Sequence, residues 1–221
     1  MDGLRPAPGG TNIIVTLLER LKIETRPAHD GIERAVDIES RLLTHASYQA
    51  LLARFYGFHA TWEPLAEAAI ADPAFFRARR KTQHLVSDLT ALGMGADDIA
   101  RLPVCRSLMP MPDPAAAYGA MYVVEGSTLG GAIIARLVER RLGLTSDTGC
   151  RYFRSYGSAV GSMWRNFGAR LQAFSSPDVD DAIVASANRT FALMQDWLQT
   201  QSSPPAAGEA LRLSLANELR A

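Results

Sequence analysis

Residues Glu125-Gly126-Ser127-Thr128-Leu129-Gly130-Gly131 place three glycines and two hydroxyl residues inside a segment that otherwise reads as one long helix. A glycine in a helix interior costs about 1 kcal/mol relative to alanine. A sequence that accepts this three times within six residues needs its backbone accessible there. Without a Cβ, the main chain can be approached closely by a flat or bulky group. A close helix–helix crossing is the other use for such glycines. The segment lacks the G-x-G-x-x-G spacing of a dinucleotide loop and the lysine of a P-loop, and no strand precedes it.

Around this segment the helical pattern extends from about Asp113 to Leu142, with Gly143 placed as a C-cap. Far upstream, Thr25-Arg26-Pro27-Ala28-His29-Asp30-Gly31-Ile32-Glu33 carries a histidine with a glutamate one helical turn later, on the same face. Apolar residues at helical spacing begin at Thr11 and continue through Ile13, Ile14, Leu17, Leu18 and Leu21. Pro27 removes an amide donor and predicts a kink or restart near Thr25, followed by helix from His29 to Leu43. Tyr48 to Ile70 carries Leu51, Leu52, Phe55, Phe58, Trp62 and Leu65 on one face, with Pro64 as a bend. After Asp72-Pro73, one helix is expected through Phe75 and Phe76 to Leu92, ending at Gly93. Asp97 to Met111 reads as loop or a short helix. Two further helices are expected at Cys150–Phe174 and Pro177–Thr200.

No segment alternates with period two, and no internal repeat is present. The reading is all-α and single-domain: a flexible leader over 1–10, a helical domain over 11–200, and a tail over 201–221 with room for one short helix. Lys plus Arg and Asp plus Glu number 23 each, which gives no argument for a nucleic-acid partner. The one basic cluster, Arg77-Ala78-Arg79-Arg80-Lys81, reads as a solvated helix face. Cys105 and Cys150 form no C-x-x-C pair, so zinc, iron–sulfur clusters and covalent haem attachment have no support. The N-terminus lacks the apolar core of a signal peptide, and no apolar run reaches the length of a membrane span. A cytoplasmic protein without a membrane partner is expected.

A histidine helix paired with a glycine-thinned helix suggests a haem sandwich. Lys22-x-x-Thr25-x-x-x-His29-x-x-x-Glu33 and Tyr122-Val123-Val124-Glu125-Gly126-Ser127-Thr128-Leu129-Gly130-Gly131, in this order, resemble the proximal and distal helices of the haem oxygenase family. Phe153-Arg154-Ser155-Tyr156-Gly157, with Trp164 and Phe167, is a third, weaker match. The resemblance covers roughly residues 12 to 200 and is strongest to the bacterial, biliverdin-producing members that accompany phytochromes.

The resemblance implies a helical bundle holding haem between a proximal and a kinked distal helix. It makes His29 the iron ligand and Glu33 the partner of its other ring nitrogen. Gly126, Ser127 and Gly130 would form the catalytic distal face, with Gly131 beside them. Backbone and water, rather than a distal histidine, would then meet oxygen and leave the porphyrin edge to be oxidised. Lys22, Arg154 and Arg151 are the candidates for the haem propionates, and Phe167 and Phe191 for the pocket walls. Mammalian-type members have aspartate where this chain has Ser127, and a propionate-binding arginine where it has Gly157. The implied products are biliverdin, carbon monoxide and ferrous iron. The implied co-reactants are O2 and an external reductant, through a ferredoxin- or reductase-type electron donor, with a bacteriophytochrome as biliverdin acceptor. A protein that holds haem without turning it over is the alternative. A thiaminase-like enzyme of the same architecture would need a cysteine nucleophile, and neither Cys105 nor Cys150 has an evident base beside it. His45 and His84 read as facing solvent or a helix crossing, and His59, on an aromatic-rich helix, as near the core.

Overall fold

The computed structural model describes residues 15–199 other than Met109; the leader, Ile13, Ile14 and the C-terminal tail lie outside the described residues. The described residues are helical throughout their regular structure, with no strand among them.

Helix α1 (Leu17–Glu24) opens on a reciprocal cap. The Thr16 hydroxyl accepts from the Glu19 amide, and the Glu19 carboxylate accepts from the Thr16 amide at 2.8 Å. Thr25 ends α1 and begins α2 (Arg26–Val36), with Pro27 in the first turn, where its missing donor has no carbonyl to serve. The restart expected at Thr25 is therefore present. The helix expected to continue to Leu43 instead stops at Asp37, which takes φ 42°, and only the single turn α3 (Ile38–Arg41) follows.

Helix α4 (His45–Ile70) forms the centre of the bundle and passes through Pro64 without a break. Asp72 caps α5 (Pro73–Arg77), accepting the Phe75 amide at 3.0 Å. The single helix expected from Phe75 to Leu92 is two helices, because the chain leaves helical geometry after Arg77 and resumes in α6 (Thr82–Ala91). The cause is burial. Arg79 and Lys81 turn inward, each 2% exposed, and the amides of Lys81 and Thr82 donate to the buried Glu63 carboxylate at 2.6 and 2.9 Å. The basic cluster is thus no solvated helix face; of its charged residues only Arg77 and Arg80 remain exposed.

Helix α7 (Ala96–Ala100) is a short turn ahead of the longest element, α8 (Pro114–Leu142). Asp113 caps α8 through the Ala116 amide at 2.8 Å, and Gly143 closes it at φ 70°. By length and composition α8 could span a membrane, contrary to the sequence expectation. Its apolar character has another cause here, since α4, α9 (Arg151–Arg154), α10 (Val160–Phe174) and α11 (Pro177–Gln199) all pack on it. The helix expected over Cys150–Phe174 is divided at Ser155 and Gly157, which take φ 44° and 57°, followed by a 3-10 turn at Gly157–Ala159.

One continuous apolar cluster runs through the described residues, built on Leu21, Tyr48, Leu51, Phe58, Trp62, Met121, Phe167, Ile183 and Phe191 among others. Each such large side chain contributes roughly 1.5–3 kcal/mol by leaving water.

Candidate active site

The glycines of α8 fall into two groups by what lies beside them. A Cβ at Gly119 would sit 2.3 Å from the Ile183 carbonyl oxygen, and one at Gly131 would sit 2.5 Å from that of Phe153. These two let α11 and α9 approach the α8 backbone, and the Ser186 hydroxyl donates to the Ala116 carbonyl at 2.7 Å across the α11 contact. Gly126 and Gly130 differ. A Cβ at Gly130 would meet nothing within 4 Å, and one at Gly126 would make only ordinary contact, 3.8 Å, with the Trp164 ring. Gly126, Gly130 and Ile133 lie one above the other on the helix, with Leu129 beside them. Leu129 is 47% exposed and Ile133 is 59% exposed. Four residues with little polarity thus form an open, flat strip on a helix otherwise packed into the core. Gly131, placed with this face by sequence, belongs to the packed flank.

Through this strip α8 continues as one helix. The Ser127 hydroxyl donates to the Val124 carbonyl at 2.8 Å, and the Thr128 hydroxyl to that of Glu125 at 2.6 Å. Such back-bonding bends helices and leaves the hydroxyl oxygens free to accept.

Helix α2 carries the candidate iron ligand. His29 is half-exposed, with Nδ1 3.7 Å from a Glu33 carboxylate oxygen and 3.9 Å from one of Asp30. Both carboxylates lie on the Nδ1 side of the ring, which leaves Nε2 for a metal. The three side chains form a group whose ligand atoms lie within 4.8 Å of one another. The His29 ring stands edge-on to Phe191 of α11 at 5.9 Å, and Gly31 lets the Gln195 side chain of α11 reach the α2 backbone. The Tyr122 hydroxyl faces the side chain of Thr25, and burial raises its pKa. That contact joins the two helices one turn before His29 on α2 and one turn before Gly126 on α8.

The walls come from α10. Trp164 packs on Tyr122 at 5.9 Å and on Phe167 at 5.6 Å between ring centroids. Phe167 is fully buried, so it backs the wall while the half-buried Trp164 presents it. In the sequence Trp164 stands only beside the weaker third motif; its spacing from Gly126 appears only in three dimensions. The cations also sort by position. Leu18 of α1 packs beside Gly168, while Thr25 meets Tyr122 beside Trp164, so α1 and α10 run antiparallel. Lys22 and Arg165 therefore fall at the same end, next to the Trp164 wall. Both are exposed, and neither has an ion pair among the described residues. Arg154 instead pairs with Glu139 at 2.7 Å and Arg151 with Asp147 at 3.2 Å, on the flank of α8 away from Gly126 and Gly130.

Behind the strip lies a buried polar cluster with no local sequence signature. Glu125, 1% exposed, accepts from the Arg79 guanidinium at 2.5 Å and from the Tyr156 hydroxyl at 2.7 Å. Burial, then the Glu125 charge, pushes the Tyr156 phenol well above its ordinary pKa. The Lys81 ammonium lies 3.3 Å above the Tyr156 ring, and burial pulls its pKa down to about 8. His59 lies in the core, as its aromatic-rich helix suggested, with Nε2 3.2 Å from the Tyr152 hydroxyl. Both cysteines are buried free thiols with raised pKa values, mainly through desolvation, which disfavours a nucleophilic role.

Comparison with known proteins gives the family and the fold. The family model described as haem oxygenase matches residues 15–200. A haem oxygenase of Xanthomonas campestris is 34% identical over 128 residues, which are 57% of this chain and 72% of that protein. Among solved structures, haem oxygenase from Leptospira interrogans superposes with a TM-score of 0.71 at 18% identity, covering 84% of this chain and all of that one. Haem oxygenase-1 from the cyanobacterium Synechocystis, in complex with haem, superposes at 0.65 and 18% identity, covering 93% and 100%. The all-helical fold is that of these structures, and the family match spans nearly every described residue: the chain belongs to the haem oxygenase family of haem-degrading enzymes.

Proposed function

We propose that this protein cleaves haem oxidatively to biliverdin, carbon monoxide and ferrous iron in the cytoplasm, with O2 and electrons from an external ferredoxin- or reductase-type protein. The observation that carries this reading is the pairing of a free His29 Nε2 on α2 with the open Gly126–Gly130 strip on α8. Haem, the substrate, supplies its own iron as the centre of oxygen activation. The protein's part is to bind it, orient it and limit what else can react.

His29 ligates the iron through Nε2, and Glu33 holds the Nδ1 proton and thereby the ring orientation. Gly126 and Gly130 let the macrocycle lie close to the α8 backbone. No charged side chain stands on that strip, so protons reach the distal side through water, the Ser127 hydroxyl oxygen and backbone groups. Trp164, backed by Phe167, closes one edge, and Leu129 and Ile133 supply apolar contact. Lys22 and Arg165, neither in an ion pair among the described residues, meet the propionates at the Trp164 end. Arg154 and Arg151, engaged with Glu139 and Asp147, contribute less to propionate binding than those two. Biliverdin released from this site supplies the chromophore of a bacteriophytochrome.

Retention of haem without turnover is the competing reading, and an open glycine face argues against it, because storage needs no space for oxygen. Titration with hemin, followed by aerobic reduction in the presence of catalase, separates the two. Loss of the Soret band with growth of a red-absorbing product, identified by chromatography as biliverdin, is the expected result. A stable ferrous–oxygen spectrum would support the holding reading, and absence of hemin binding would overturn both.

A further inference from the structure

Arg79 is buried between two elements that border the proposed haem site, and no local motif announces it. One arm of its guanidinium donates to Glu125, the residue immediately before Gly126, at 2.5 Å. The other donates to the Asn166 side-chain oxygen at 2.9 Å, with the Met163 carbonyl at 3.4 Å. Met163 and Asn166 flank Trp164 on α10, and Trp164 is the wall that meets Gly126. The guanidinium itself is seated on the Phe75 ring at 4.2 Å, so it is held from a third element, α5. Tyr156 completes the coordination of Glu125 from the turn that leads into α10.

A planar five-donor group in a fixed fork is suited to setting the distance between two acceptors. Its desolvation makes those hydrogen bonds stiff and costly to lose. Lysine has neither the reach nor the plane to bridge both partners. We propose that Arg79 is a positioning residue: by clamping Glu125 on α8 to Asn166 and Met163 on α10, it fixes the spacing between Gly126 and Trp164 and so the in-plane orientation in which haem is seated. The inference rests on the haem-cleaving reading above. Its consequence is that Arg79, which touches no substrate, governs which edge of the macrocycle is presented for oxidation.

The test compares the full chain with Arg79→Met, Asn166→Ala and Arg80→Ala, each loaded with hemin. Haem-methyl NMR resonances of the ferric cyanide complexes give the ratio of seating orientations, and chromatography of the turnover product gives the isomer ratio. Arg79→Met should shift both ratios at least threefold, and Asn166→Ala should shift them in the same direction by less, with hemin binding retained. Arg80→Ala, which removes only a surface pair with Glu67, should leave both unchanged. Arg79→Met leaves Glu125 without its cation and has the greater tendency to unfold. Asn166→Ala loosens one arm of the clamp from an exposed position and decides the matter if Arg79→Met does not fold. Parental ratios in folded, haem-loaded variants would overturn the positioning role while leaving the haem-cleaving reading intact. A parent that binds no hemin, or binds it without cleaving it, overturns that reading and this inference with it.

Discussion

The two flanks of α8 use the same residue for opposite ends. On one flank, Gly119 and Gly131 are glycine because the carbonyls of Ile183 and Phe153 occupy the space a Cβ would take. On the other, Gly126 and Gly130 carry no such constraint; nothing among the described residues forbids a methyl group there. A helix that keeps glycine where its own packing does not require it forgoes roughly 0.5–1 kcal/mol per position. The first flank is explained by the fold. The second has no such explanation among the described residues; in the proposed reading it makes room for haem, with His29 on α2 as the iron ligand.

The largest effect is expected on the histidine side. His29→Ala should abolish haem turnover while leaving the melting temperature near that of the parent, since the ring is half-exposed. Added imidazole should restore part of the activity. Full activity without imidazole would remove the ligand assignment. Next come the glycines, where the two flanks should respond with opposite sign. Gly131→Ala forces its methyl against a carbonyl and should cost about 2–4 kcal/mol in denaturant unfolding. Gly130→Ala should instead gain about 0.5–1 kcal/mol, while slowing oxygen binding or altering the product. Equal destabilisation at both positions would erase the distinction drawn between the flanks.

Glu33→Gln, which keeps a hydrogen-bond acceptor but loses the charge, should weaken haem ligation or turnover by about 10–100-fold. The iron–histidine stretch in resonance Raman spectra of the ferrous complex reports it independently of turnover, and an unchanged frequency would count against the pairing. The smallest effect lies behind the strip. Lys81 titrates near 8 when folded and near its ordinary 10.5 when unfolded, mainly because burial disfavours the ammonium. Between those values the unfolded chain binds more protons, so stability should rise with pH across that window. Lys81→Met should flatten this rise, and its stabilising effect at pH 7 should shrink toward pH 10. A pH profile identical to the parent's would show that the ammonium is better solvated than its surroundings indicate.

How much of this was legible beforehand follows from the range of the interactions involved. Helices α8 and α11 and most of α4 could be read from the sequence, because Asp113-Pro114, Gly143 and Ser176-Pro177 punctuate strong apolar periodicity. The restart at Thr25 followed from Pro27 alone. The breaks after Arg77 and at Ser155 could not be read the same way. Arg79 and Lys81 look like surface charge until Glu125 arrives from a distant position to receive the Arg79 guanidinium, and Glu63 and the Tyr156 ring to receive the Lys81 backbone amide and ammonium. Serine gives no warning that it will take a positive φ. Within the site, His29, Glu33 and the glycine segment were visible as motifs. That Gly126 and Gly130 open outward while Gly131 packs inward depends on where α9 lies, and the Trp164 wall depends on where α10 lies.

The most direct test of the account is a crystal structure of the protein with haem bound. The account predicts His29 Nε2 on the iron, the Glu33 carboxylate on the Nδ1 side, and the opposite face of the macrocycle against Gly126 and Gly130, with one edge along Trp164. Iron ligated by another residue, or haem seated away from the Gly126–Gly130 strip, would contradict it.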